Sequence, residues 1–317
     1  MLEDHSRRLA SLRKRTLVMA AMALIVPFTA LASASPAMAE PKGIFKIFKE
    51  CPTEIPGNEL CTYNVTTSGE FAIGTTKVPI NKPIILQGGA LPTGNPENPR
   101  EFFALPAKNG ESLSKTELNV PGGLLGIKCE EIKGEGPAEK FLRELCKSVF
   151  EKGATAVTAT AELVANEKNP VIFNEFALAA EEGTALTLPL RVHLKNSLLG
   201  NSCYIGSESS PLQLHLTTGE THPPKEFKPL HGTLGEPETL EEKGQVALRI
   251  TGNSLVDNTF SAPGAEGCGE FLIFKGFLDS LLDGKIKIPN KAGENTAIFN
   301  GELNAATPEA VIASEKF

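Results

Sequence analysis

Six cysteines are the first residues in this chain that could do chemistry: Cys51, Cys61, Cys129, Cys146, Cys203 and Cys268. No two stand as C-x-x-C, the close pairing that a zinc site built from thiolates needs, so the set reads as a disulfide framework. Cys51 and Cys61 flank a Pro56-Gly57 turn that can fold their ends together, Cys129 and Cys146 would tie a strand to a helix, and Cys203 and Cys268 remain. Histidines are the second group. His193 lies on an alternating stretch, Leu186 to Leu194, and His215 on another, Leu212 to Leu216. If Leu194 faces Leu214 in an antiparallel pair, His193 faces His215, and the two imidazoles could share a metal with His222, His231 or a glutamate. The plainer expectation is two solvated residues on a polar sheet face, with no metal and no cofactor.

Serine chemistry is weaker still. Ser112-Leu113-Ser114-Lys115 matches S-x-x-K, but it stands in a polar loop without helical periodicity, and no K-T-G follows. G-x-S-x-G, H-E-x-x-H and phosphate-cradling glycine loops are all missing from the sequence. No catalytic residue is assigned and no enzymatic activity is expected. Asn64-Val65-Thr66 fits an N-glycosylation acceptor, although its place within a strand pattern disfavours use.

Residues 1–39 are read as an address rather than as fold. A basic head of Arg7, Arg8, Arg13, Lys14 and Arg15 precedes an apolar run from Thr16 to Leu31, and Ala37-Met38-Ala39 supplies the small residues of a cleavage site. That order describes a secretory signal peptide cut after Ala39, leading to a secreted, extracellular chain with no membrane span after cleavage. The remaining 278 residues carry 26 Lys and Arg against 36 Asp and Glu, a formal charge of −10. Nucleic acid and anionic membrane surfaces are therefore poor partners. Only Asp257, Asp279 and Asp283 of those acids are aspartates, so calcium loops of the aspartate-rich type are absent.

The elements that must position these residues are mostly strands. Segments 60–65, 70–73, 77–80 and 83–86 read as a meander, followed by a loop over 88–99. Strands are expected at 102–105, 116–120, 124–129, 155–165 and 171–176, then at the two histidine-bearing stretches. Val246, Leu248 and Ile250 alternate with polar neighbours, and further strands are expected at 296–299, 302–303 and 310–313. Apolar spacing marks helices at 137–150 and 270–283, while the proline-rich 219–237 reads as a long crossover or linker. An all-β fold follows: an antiparallel, disulfide-braced sandwich with two short helices, forming one domain over 40–317. The alternative is a main domain over 40–218 with a small one over 238–317.

Asn201-Ser202-Cys203-Tyr204-Ile205-Gly206-Ser207, the run from Leu255 to Gly269 and Asn295-Thr296-Ala297-Ile298-Phe299-Asn300-Gly301 resemble segments of uncharacterised exported proteins of high-GC Gram-positive bacteria. The resemblance covers most of residues 195–314 and implies export and a common β scaffold, with no activity attached. Three functions are therefore compatible with the chain. The first is a non-catalytic extracellular or envelope protein acting by binding or structural contact with a protein or envelope partner. The second is a carrier of an apolar small molecule or lipid, which predicts a cavity under helix 270–283 lined by Phe271, Phe274 and Phe277. The third is an extracellular hydrolase with a triad assembled from distant residues.

Overall fold

The alternation at Leu186 becomes the hub of a large antiparallel sheet. This strand, β8 (Leu186–Lys195), buries Leu188, Leu190, Val192 and Leu194 and carries neighbours along both of its edges. In the computed structural model, which describes residues 40–123, 134–148, 156–269 and 276–317, the described residues are mostly antiparallel strand, with four α-helices. The N-terminal half supplies β1 (Leu60–Ile73), β2 (Thr76–Pro79), β3 (Ile84–Pro92), β4 (Glu101–Leu105), β5 (Leu118–Val120), β6 (Val157–Leu163) and β7 (Ile172–Asn174). After β8 come β9 (Tyr204–Ile205), β10 (Leu212–Leu216), β11 (Glu236–Glu242), β12 (Gln245–Asp257), β13 (Ala265–Glu266) and β14 (Thr296–Ala306).

These strands join in the order β11-β12-β14-β1-β3-β4-β7-β8-β6-β5, with β2 on β1, β10 and β9 on β8, and β13 on β9. Along β8 one edge takes β7 and β6, and the other takes β10 and β9. Beyond β10, Thr217 bridges Val256 of β12 through two backbone bonds of 3.0 and 2.9 Å. Eight strands, β12-β14-β1-β3-β4-β7-β8-β10, are thus joined end to end. The expected all-β, antiparallel, disulfide-braced class holds, and its two facing layers are halves of one curled sheet.

The bend has a local cause. Both neighbours of β14 bulge opposite the same residue: the register of β1 slips between Thr66 and Ser68, that of β12 between Thr251 and Asn253, and both Thr66 and Asn253 pair with Gly301. A bulge adds a residue to one strand, increases its twist and bends the sheet. A Cβ at Gly301 would lie 1.8 Å from the Val65 carbonyl oxygen, so only glycine admits this close approach.

Several sequence expectations change here. The meander's first two segments are one continuous β1, because the residues read as a turn, Thr66 to Gly69, form a bulge instead. The loop expected from Gly88 begins as strand, with Gly88 to Pro92 closing β3. Residues 310–313 are not a strand but lie in a helix, α4 (Pro308–Ser314). Thr307 caps it by accepting the Ala310 N–H, and Pro308 opens its first turn. Ahead of it come α1 (Pro137–Cys146), α2 (Glu175–Ala180) and α3 (Phe277–Ile286). Gly284 does not stop α3; the helix ends at Lys287 in the left-handed region, its N–H bonded to the Asp283 carbonyl. Residues 270–275 and the segment 124–129 fall outside the described residues.

Two apolar clusters result. The larger gathers around β8, β10 and the inner faces of β6 and β12; the smaller joins the short 3-10 turn Gly43–Phe48 and α4 through Phe45, Phe48 and Val311. Each holds a disulfide, Cys203–Cys268 in the first and Cys51–Cys61 in the second. Both pairs match the expected pairing, and Cys129 lies outside the described residues. Glu40–Phe317 forms one compact unit in which β14 from the C-terminal segment sits between β1 and β12.

Candidate functional site

Alternation along three adjacent strands builds the wall of a chamber. Leu60, Thr62 and Asn64 of β1, Leu303 and Ala305 of β14, and Val246, Leu248 and Ile250 of β12 point to one side of the sheet and face the same space. Leu86 and Ala90 of β3, Ala104 of β4, Phe173 of β7 and Leu186 of β8 continue the wall, and Phe176 and Leu178 of α2 close part of it. The chamber, open to solvent on one side, has a volume of about 1230 Å³. Pockets for drug-sized ligands run from ~300 to 1,000 Å³, so this chamber exceeds what a small metabolite fills.

Its size follows from residue choice. At paired positions where bulky side chains would fill a sandwich core, Ala90 faces Ala104 across β3 and β4, and Ala305 occupies the inward position on β14. A smaller extension of about 70 Å³ leads on from the chamber and shares Asn64, Leu86, Leu186, Leu255 and Leu303 with it. Phe103, Phe176, Val246 and Leu248 line the chamber and are also among the exposed large apolar residues, Phe176 at 57% and Val246 at 49%. Apolar side chains that face both cavity and solvent mark its mouth. At that rim Arg100 grips Glu175, with Nε at 2.7 Å and Nη2 at 2.5 Å from the same carboxylate oxygen, and its guanidinium lies 5.2 Å from the Phe102 ring centre.

This cavity is not the one expected under residues 270–283. Phe271 and Phe274 lie outside the described residues, while Phe277 is exposed at 64% and does not line the chamber. What α3 contributes is its two aspartates: Asp279 accepts the Cys268 N–H at 2.8 Å and Asp283 the Ala265 N–H at 2.7 Å. The third aspartate, Asp257, is fully buried and accepts the N–H groups of His215 and Thr259 and the Thr259 hydroxyl, each at 2.7 Å. Burial raises its pKa, opposed by those hydrogen bonds.

The assumed histidine register is wrong. Leu214 pairs with Leu188 and His215 with Thr187, so His193 lies six residues farther along β8, on the order of 20 Å away. The two imidazoles cannot share an ion. His215 is exposed; His231 is exposed beside Glu220, and His222 is exposed as well. Among the described residues no three metal-ligating side chains converge.

His193 instead belongs to a packed ionic patch on β6, β8 and β9. Its Nδ1 is 3.2 Å from Glu162, whose other oxygen receives Nε and Nη2 of Arg191 at 2.9 and 2.8 Å. Tyr204 stacks on the imidazole at 4.5 Å and carries the Arg191 guanidinium at 4.3 Å. Glu162 orients the ring as a carboxylate orients a catalytic histidine, but Nε2 and the hydroxyl of Thr160, its partner across β6, are sealed from solvent without a hydrogen bond. Beside the patch, the Lys195 ammonium bonded to Glu117 at 2.6 Å holds that carboxyl below its ordinary range, and the same bond raises Lys195. Both groups are exposed, and such pairs contribute little to stability.

The S-x-x-K residues serve the loop. Ser112 accepts the Ala107 N–H, Ser114 accepts the Ile85 N–H, and Lys115 reaches Glu111 at 3.6 Å. Asn64 of the glycosylation triplet sits in mid-strand against the chamber. Among the described residues no helix is long and apolar enough to cross a membrane. The chamber itself escaped sequence reasoning; the alanines on inner strand positions were its one available signal. No family model, curated protein or solved structure matches the chain.

Proposed function

We propose that this chain is an exported, non-enzymatic binding protein that carries an apolar small molecule or lipid inside its curled sheet. The chamber of about 1230 Å³, walled by leucine, valine and phenylalanine and opening through an apolar mouth, carries the reading. Transfer of apolar ligand surface from water into such a space is favourable by roughly 25 cal/mol per Å². The two disulfides point to an oxidising, non-cytoplasmic location, which supports export through the basic and apolar segment of residues 1–39. The acidic balance of the remaining chain favours a molecule released into solution over one held at an anionic membrane.

The test is uptake of Nile red, a neutral apolar dye, by protein recovered from the medium of an expressing bacterium. The recovered chain is expected to begin at Glu40 and to bind the dye with a saturable rise in fluorescence. Ala104→Trp and Ala305→Trp, which fill the chamber from β4 and from β14, are expected to weaken binding at least about tenfold while Tm holds or rises. Dye affinity unchanged in both filled variants, or no saturable uptake by the parent chain, overturns the proposal.

A further inference from the structure

The polar groups of the chamber are nearly all committed to the protein itself. Asn304 donates to the Tyr63 carbonyl and to Glu302, Gln87 donates to the Glu111 carbonyl, and Arg100 is held by Glu175. Two side chains on the inner face of β1 are not. Among the described residues Asn64 uses only its oxygen, accepting the Asn304 N–H at 3.2 Å, which fixes the amide orientation and leaves Nδ2 without a partner there. Thr62, the next inward residue on β1, has no side-chain hydrogen bond among the described residues, and both half-buried residues line the chamber. Asn64 also lines the smaller extension, which places it where chamber and extension meet.

Resting on the carrier reading above, we infer that the ligand is a neutral apolar molecule bearing a hydrogen-bond-accepting oxygen, an ester, ketone or alcohol, which Asn64 Nδ2 and the Thr62 hydroxyl recognise. An amide N–H in an apolar space gains most from an acceptor brought by the ligand, because bare hydrocarbon would leave it desolvated and unpaired. A carboxylate or phosphate is disfavoured. Among the described residues the one lining cation, Arg100, is already bound to Glu175, and Glu167 adds a negative charge to the lining, so an entering anion finds no free counter-charge there.

A matched eighteen-carbon series tests this by displacement of Nile red: methyl oleate, 1-octadecene and oleate at pH 8. Methyl oleate is expected to bind roughly five- to tenfold more tightly than 1-octadecene, the worth of one good hydrogen bond, and more tightly than oleate. Asn64→Leu and Thr62→Val are each expected to shrink the ester's advantage over the alkene, read as the ratio of the two affinities within one variant. The ratio within one variant is insensitive to its stability, and Thr62→Val preserves side-chain shape if Asn64→Leu folds poorly. Oleate binding most tightly, or an ester preference that survives both substitutions, overturns this assignment while leaving the carrier reading in place. Failure of all three ligands and of the dye itself removes both.

Discussion

Replacing Cys203 and Cys268 by alanine lowers the unfolding free energy by about 4 kcal/mol, the value loop entropy assigns to a bridge between residues 65 apart in sequence. The bond joins the connection before β9 to the segment after β13, and both cysteines are fully buried in the larger cluster. Without it, the two-residue ladder between β9 and β13, the Ser202 hydroxyl bonded to the Gly267 carbonyl and the Gly269 N–H bonded to the Leu199 carbonyl at 2.8 Å remain to hold these segments together. The shorter Cys51–Cys61 bridge, spanning 10 residues, is expected to contribute about 3 kcal/mol by the same relation. Calorimetric unfolding of the two double-alanine variants checks the ranking. A larger loss from the Cys51 and Cys61 pair than from Cys203 and Cys268 would show that loop entropy is not what these bridges contribute.

Asp257→Ala is expected to cost about 3 kcal/mol at pH 7, because it strips the acceptor from two backbone N–H groups, and each buried donor left unpaired costs ~1–3 kcal/mol. Asparagine does not rescue it fully, since either amide orientation turns an NH₂ toward one of those donors. The pH dependence has a definite sign. Burial raises the folded-state pKa of Asp257 above its unfolded value, so the folded chain binds this proton more tightly. The aspartate's contribution to stability is therefore greatest below the unfolded pKa, falls as pH rises toward the folded pKa, and is flat above it. Chemical denaturation across that window should show a shallower decline with rising pH in Asp257→Ala than in the parent chain. An unchanged slope would mean that the group titrates alike in both states.

Asp257 also illustrates how the aspartates divide from the glutamates. All three aspartates outside residues 1–39 accept backbone N–H groups at a turn or strand end, whereas most glutamates lie on the surface. A short carboxylate reaches a neighbouring amide with little loss of rotamer freedom, and the longer glutamate pays more entropy for the same bond. The composition contained this division, but nothing in it distinguished a backbone-bracing acid from a solvated one.

Local signals were legible wherever one residue's chemistry decided the outcome. The alternation at Leu186 to Leu194, at Leu212 to Leu216 and at Val246 to Ile250 became β8, β10 and β12, since a period-2 pattern allows one buried face. The Pro56-Gly57 turn between Cys51 and Cys61, and a proline opening α1, were equally local. Thr307-Pro308 was just as local a helix signal, and the apolar character of Ala310 to Ala313 masked it. Where Thr66 to Gly69 looked like a turn, pairing with β14 before and after the slip held the chain extended as a bulge.

By itself, then, the sequence determined strands, their buried faces and the local Cys51–Cys61 pair, because alternation, turn chemistry and close cysteine spacing act over a few residues, whereas Cys203 and Cys268, 65 residues apart, were paired only as the remainder. Only the tertiary structure decided the rest. Register between strands far apart in sequence depends on the whole sheet, and a slip of six residues separated His193 from His215. The chamber depends on how far the sheet curls: the same apolar faces would fill a core if the layers met, and bulges at Gly301 with alanines at Ala90, Ala104 and Ala305 hold them apart. A void is a property of the space between side chains, and no single stretch of chain encodes it.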